Sequence, residues 1–515
     1  MSDNEREYLL DKESSYLNVQ EEVTNYSTAR GYIWPLALAF CINYILGTGF
    51  QSIPYAYQDA GIIPSTIIIL IATALAILAN NWQLETIARC HPVVLARESD
   101  SSRKAFLLDY EDNEDEVAQI EKEEGLLVRN TVYEVPKLFE VFIGLWMSRV
   151  YTAVFIVYMF GALWAYTVVM GLTMTTVIPF PGLTHKDDCN AEVGESCPTF
   201  STGCSWAYVI YVAIMGCMIT CLSVLDLKEQ KALQVTLAFV RGVGLTLIVI
   251  CIIGAMATAP YSSYDNNSEG TDGSHIATPV NYFDASGLSS IITAAVYSQL
   301  LHHSTPGLTQ LVRDKRELRV TFVSSFFICC MFYLMLSFFA TLYFGDEVNQ
   351  TLSLQWSTYS NGWAGSNAWW AHFCAYFILM FPALECFSAF PLCAITLGNN
   401  IFATLPNEWT DDGTSRLVKI ICRLIATIPP LILGTTTHCL NVIVRITGLP
   451  GFFIMLIFPA ILQIKSTKVA NEVLGSARTF YTCHFSHNIY CYAVILVALG
   501  CFVLTLVQLF MDAFN

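Results

Sequence analysis

Residues Tyr32–Gly61 read YIWPLALAFCINYILGTGFQSIPYAYQDAG. The run is apolar and long enough to cross a bilayer, but Asn43 and then Gly47, Thr48 and Gly49 interrupt it midway, ahead of Pro54. A spanning helix satisfies every backbone N–H and C=O internally, so a loosened stretch at that depth survives only buried in protein or lining a wet cavity. The freed carbonyls suit a cation, and the N–H groups that open the second half-helix suit a carboxylate. The alternative is a glycine seam for close helix packing, because Gly-x-Gly beside a proline is common in membrane helices.

The chain around this stretch is apolar throughout. Of 515 residues, 54% are hydrophobic and 13% charged, which excludes an ordinary soluble domain and makes the chain a polytopic membrane protein. The net charge of −16 is local, gathered between Glu98 and Glu124 and in the N-terminal tail, so it does not argue for a cationic partner. The 18 cysteines are mostly scattered singly through apolar segments and form no zinc-type CxxC pairs. The first thirty residues are polar, so span 1 is expected to serve as its own insertion signal.

Apolar runs of about 20 residues predict eleven spans. They lie near 33–58, 62–88, 142–177, 206–225, 233–258, 287–310, 318–344, 367–397, 416–434, 439–464 and 488–511. The organisation that follows is a cytosolic tail (1–30), spans 1 and 2 (31–90), an acidic loop (91–140), spans 3–10 (141–464), a loop (465–487) and span 11 (488–515). With the N-terminus in the cytosol, the inner loops collect basic residues such as Arg97, Lys137, Lys228, Arg316, Lys419 and Lys465, while the outer loops hold essentially Lys186. The same topology exposes the sequons at Asn266 and Asn349 to glycosylation and leaves that at Asn25 unused. It also puts Cys189, Cys197 and Cys204 in an oxidising compartment, where two of the three pair and one thiol is left over.

The tail carries two patterns that resemble sorting signals, an acidic dileucine (Glu5, Leu9, Leu10) and Tyr16-Leu17-Asn18-Val19. They point to an endolysosomal address; an ordinary solvated tail, with residence in the plasma membrane, is the alternative. The acidic loop reads as a solvated linker, or as a regulatory segment that binds a cytosolic partner.

Span 6 holds a second break. Its end reads Gln299-Leu300-Leu301-His302-His303-Ser304-Thr305-Pro306-Gly307, with two histidines, two hydroxyls and a Pro-Gly at membrane depth. A lone buried histidine is usually a satisfied core residue, whereas this cluster marks a site. Spans 1 and 6 open two successive sets of five, where inverted-repeat transporters place paired discontinuous helices.

At these residues the chain resembles the amino acid/auxin permease superfamily. The resemblance rests on Asn43 through Gly61, His303-Ser304-Thr305-Pro306, Tyr343-Phe344-Gly345-Asp346, and Phe390-Pro391 through Asn399-Asn400. It covers roughly residues 31–464, and within the superfamily it is most similar to the transmembrane protein 104 branch. It implies an all-α LeuT-like fold, a five-plus-five inverted repeat with an eleventh helix, and secondary transport of amino acids coupled to Na⁺ or H⁺. It implies further that Asn43 neighbours a sodium site, that Gly47, Thr48 and Gly49 receive the substrate, that His303 and Ser304 form the second break, and that Ser388 offers a hydroxyl to the ion. Tyr158, Trp164 or Tyr166 would cover the substrate's side chain.

Other residues depart from that pattern. Glu385 puts a carboxylate near mid-bilayer, where it carries a coupling proton, caps the Pro382 kink or pairs with another polar side chain. Arg241 is expected to snorkel to the cytosolic end, and Arg445 to pair with an acid or guard the outer vestibule. Gln51 and Asp59 are polar where apolar residues would be unremarkable, and are read as tuning substrate choice. The expected function is therefore an amino acid symporter, with Na⁺ or H⁺ as coupling ion, no other cofactor and no nucleic-acid partner. The rival is a sensor that keeps the fold, passes little substrate and signals through its tail and acidic loop. A channel would need a filter motif, and an enzyme a nucleophile-and-base spacing or a phosphate loop; the sequence supplies none of these.

Overall fold

The computed structural model describes residues 34–97, 125–184, 189, 200–225, 231–258, 280–357, 369–403, 405, 415–437 and 439–514. The sorting motif at Glu5, Leu9 and Leu10, the sequon at Asn266 and the thiol of Cys197 lie outside them. Among the described residues the structure is helical apart from one isolated bridge, Leu126 to Thr479.

Span 1 consists of α1 (Trp34–Leu46) and α2 (Gly49–Ala60), followed by α3 (Ile62–Arg97), a short α4 (Val135–Phe142), α5 (Leu145–Val177), α6 (Thr202–Val224) and α7 (Lys231–Thr258). Span 6 consists of α8 (Leu288–Ser298) and the single turn α9 (Thr305–Thr309). After these come α10 (Leu318–Phe344), α11 (Trp369–Ala403), α12 (Ser415–Thr436), α13 (Leu440–Phe452), α14 (Phe458–Leu474) and α15 (Asn488–Phe514). A π-helical turn, Phe453–Ile457, joins α13 to α14. By length and composition nine of the described helical stretches can cross a membrane, and spans 1 and 6 are the two that are interrupted.

Three elements run past their expected ends by more than a turn, among them α11, which ends at Ala403 and not near 397. The expected end of α3 is residue 88, yet the helix continues through Pro92 to Arg97, its residues Asn80 to Cys90 buried. Similarly α14 passes residue 464 and stops only at Leu474, where Gly475 takes φ +76°. Of the loop expected at 91–140, residues 91–97 belong to α3 and 135–142 to α4, while 98–124 lie outside the described residues.

The centre of the bundle is α5, which packs against α4, α6, α11, α12 and α13. Small residues permit this: a Cβ added at Gly161 would stand 2.3 Å from Thr447 Oγ1, so α5 and α13 touch backbone to side chain. The broken helices pack beside it, α2 against α8, α1 and α2 both against α10, and α8 against α13.

Cys189 is bonded to Cys204, which selects one pair from the three loop cysteines. Cys439, at the start of α13, is disulfide-bonded as well, beyond the single bond expected. The Cys189–Cys204 bond spans 15 residues, for which chain entropy gives about 3 kcal/mol. Cys189→Ser should accordingly lower the unfolding midpoint in detergent by several degrees, as should reduction of the unsubstituted protein. Equal midpoints for the variant and the oxidised protein would refute this.

Candidate functional site

The first break is two residues long. Gly47, with φ +30°, turns the chain out of α1, and α2 restarts at Gly49. A positive φ is cheap only for glycine, which explains the residue type at 47. Gly49 has a different reason. A Cβ there would lie 2.4 Å from Ser298 Cβ and 2.7 Å from Ser298 Cα. Ser298 is the last residue of α8, so the two interrupted helices meet main chain to main chain where each is broken.

Two further links bind the breaks. Thr48 Oγ1 and the Tyr297 hydroxyl are hydrogen-bonded at 2.9 Å. The Tyr333 hydroxyl, from α10, stands 3.0 Å from Ile45 O, 3.2 Å from Leu46 O and 3.1 Å from Ser298 O. Tyr166 of α5 closes the other side, its hydroxyl 3.7 Å from the Cβ position of Gly47.

The second break runs from Gln299 to Leu301 and through the 3₁₀ turn His302–Ser304. Its two histidines have different tasks. His302 is held by α3: its Nε2 lies 3.0 Å from Ala76 O, and Gln83 Nε2 donates to His302 O at 2.7 Å. Thr305 Oγ1 adds a bond to Asn80 Oδ1 at 2.7 Å, so α3 splints the break along two turns. His303 is half-buried and faces α5, its ring 5.5 Å from Phe155 and 5.8 Å from Tyr158, with Nδ1 lacking a hydrogen-bond partner. Tyr158 also meets Tyr297, at 6.4 Å between centroids. Ser304 is half-buried and lies against Tyr44 of α1.

Of the expected site residues, Gly47, Thr48, Gly49, Tyr158, His303 and Ser304 thus converge on the two breaks. The side chain of Asn43 lies outside the described residues, and Ser388 is buried on α11. Glu385, also on α11, is buried with its Oε1 3.3 Å from Arg241 Nε of α7. The expectation for Arg241 is corrected here: its guanidinium turns inward to this carboxylate instead of snorkelling, because an unpaired buried charge costs far more than a paired one. The pair stands within electrostatic reach of Tyr166 and Tyr333. Arg445 Nη2 donates to Ser289 Oγ at 2.9 Å, and Gln51 Oε1 accepts from Ser353 N at 3.0 Å. Asn349 is half-buried, its Oδ1 accepting from Thr351 N at 3.0 Å.

Sequence reading passed over Tyr297, Tyr333 and Gln299. Gln299 is 1% exposed at the start of the second break, and neither amide atom has a hydrogen-bond partner. A buried, unsatisfied primary amide costs several kcal/mol unless something polar joins it, which makes it a candidate ligand contact. The arrangement as a whole offers main-chain groups, hydroxyls and one amide to a small polar molecule, with aromatic rings on one side.

Known proteins resemble this chain along most of its length. The nearly full-length likenesses include the Dictyostelium discoideum transmembrane protein 104 homolog, 22% identical over 91% of this chain and 95% of its own. Human transmembrane protein 104 is 22% identical over 91% of this chain and 94% of its own. A Drosophila melanogaster homolog is 28% identical over 49% of this chain and 46% of its own. Among solved structures, an Eremococcus coleocola manganese transporter superposes with a TM-score of 0.50 at 12% identity, covering 94% of this chain and 91% of that one; the likeness is one of fold. The family model described as transmembrane amino acid transporter protein matches residues 31–505, and the chain belongs to that family.

Proposed function

We propose that this protein is a secondary active amino acid transporter coupled to Na⁺ or H⁺, built as a five-plus-five inverted repeat with an eleventh helix. The substrate sits between the two broken helices and is exposed to each side in turn. The observation that carries this reading is the meeting of the breaks, Gly49 against Ser298, with freed main-chain groups of both helices around one point. The substrate's carboxylate takes N–H groups at Gly47–Gly49, where α2 begins, and its ammonium takes carbonyls of either break. Tyr158, Tyr166 and His303 flank its side chain.

The coupling ion is either Na⁺ near Asn43 and Ser388 or a proton on Glu385 or His303. Coupling requires that ion and substrate bind the same conformer preferentially, so that each raises the other's affinity. The basic residues at one end and the Cys189–Cys204 bond at the other support a cytosolic N-terminus, in the plasma membrane or an endolysosomal one.

Purified protein in liposomes, given a panel of amino acids under an inward Na⁺ gradient and separately an inward H⁺ gradient, tests the reading. Accumulation of at least one amino acid is expected under one gradient and not the other. No accumulation under either would sink it.

A further inference from the structure

The last carbonyls of a helix have no partner within it, and the helix dipole gathers negative charge there. Ile45 and Leu46 end α1, and Ser298 ends α8. Residues more than 250 apart in sequence thus aim three carbonyl oxygens at one point, and the Tyr333 hydroxyl occupies it, at 3.0, 3.2 and 3.1 Å. Tyr333 is wholly buried. Its single proton serves one carbonyl at a time.

The helix that carries it touches both broken helices elsewhere too. Phe326 of α10 packs on the His302 ring at 5.9 Å, and Cys329 lies one turn before Tyr333 with its Sγ 4.0 Å from Ile42 O. Neither of these contacts bridges the breaks. The hydroxyl does, and it stands 3.6 Å from the Cβ position of Gly49, beside the contact with Ser298.

We infer that Tyr333 is a positioning residue, a C-cap shared by α1 and α8 that makes the geometry of each break depend on the other. Tilting either half-helix withdraws its carbonyls from the common donor and leaves the hydroxyl to the other helix alone. A transporter needs such a dependence, because driving ion and substrate must act on one conformer. That consequence rests on the reading proposed above; the structural inference does not.

Tyr333→Phe keeps the ring and removes the donor. In hydrogen exchange on the full-length protein in nanodiscs, the amides of residues 47–51 and of 299–304 should both exchange about tenfold faster, the loss of one buried hydrogen bond being worth about that factor. Cys329→Ser, a buried change on the same face of α10, should leave both segments at wild-type rates. A response in only one segment, no response, or an equal response to Cys329→Ser would overturn the inference.

The functional arm uses liposomes and an equimolar mixture of the twenty amino acids. Gradient-driven accumulation by Tyr333→Phe should fall at least tenfold while downhill exchange stays within about twofold of wild type. Equal loss of both would show a merely structural role. Should the unsubstituted protein accumulate nothing, the transport reading fails, and the exchange rates still decide whether Tyr333 joins the breaks.

Discussion

Alanine at position 49 is expected to reduce gradient-driven uptake by about a hundredfold or more while the protein still reaches the membrane. The added Cβ would stand 2.4 Å from Ser298 Cβ and 2.7 Å from its Cα, closer than real Cβ contacts come, so one helix has to move. It cannot be α8 at little cost. On its far side Thr293 lies 2.8 Å from the Cβ position of Gly448, and Val296 and Leu300 lie 3.2 Å from that of Gly451. Backed by α13, α8 pushes α2 away instead, and the Thr48–Tyr297 and Tyr333 bonds lengthen. Overpacking of this kind costs about 1–3 kcal/mol, which a large bundle tolerates. Misplacing binding groups by about 1 Å is enough for a hundredfold loss of rate. Gly242→Ala provides the control, since nothing lies within 4 Å of its Cβ position. Uptake by Gly49→Ala within twofold of the Gly242→Ala value, per folded molecule, would show that the contact is not part of the site.

The position of this contact was half legible in the sequence. Gly47, Thr48 and Gly49 stand out because a bilayer penalises any interruption, and the His302 to Gly307 cluster stands out for the same reason. The second break nevertheless begins earlier than that cluster suggests, at Gln299, and Pro306 sits in the first turn of the restarted helix, where a proline's missing N–H does no harm. Partners of the breaks were not legible. Tyr333 lies in Met331-Phe332-Tyr333-Leu334, where one aromatic residue among many gives no hint that its hydroxyl faces inward. Arg241 and Glu385 are 144 positions apart, and no periodicity links them. Local pattern reports what a bilayer forbids; it is silent on which distant side chain answers a buried group.

The clearest such silence concerns Arg89. By sequence it follows a polar run and counts as one more basic residue at a cytosolic helix end, yet it is 2% exposed and its Nη2 lies 2.6 Å from Glu85 Oε2. Its Nη1 donates to Gln463 Oε1 at 2.8 Å and Ser466 Oγ at 3.1 Å, and its Nε to Ala477 O at 2.9 Å. Glu85 in turn accepts from Asn81 at 3.1 Å, from Gln463 Nε2 at 2.9 Å and from Ser486 Oγ. Four of the five guanidinium N–H groups and both carboxylate oxygens of the pair are answered, by Asn81 of α3, by α14 and by the segment after it. Arg89→Met removes the cation and leaves a buried carboxylate without a counter-charge, which should cost about 3–5 kcal/mol. A lower unfolding midpoint in detergent is the measurement. The sign of the second substitution separates charge from packing. Adding Glu85→Leu to Arg89→Met should recover part of the loss, since replacing both partners by apolar groups is far cheaper than orphaning one. A double variant less stable than Arg89→Met would mean that the hydrogen bonds to Glu85, not its charge, hold this end together. Because α3 also carries Ala76, Asn80 and Gln83, which grip His302 and Thr305, loosening its lower half loosens the splint of the second break. Uptake by Arg89→Met should therefore fall further than its folded fraction does, and return with the double variant.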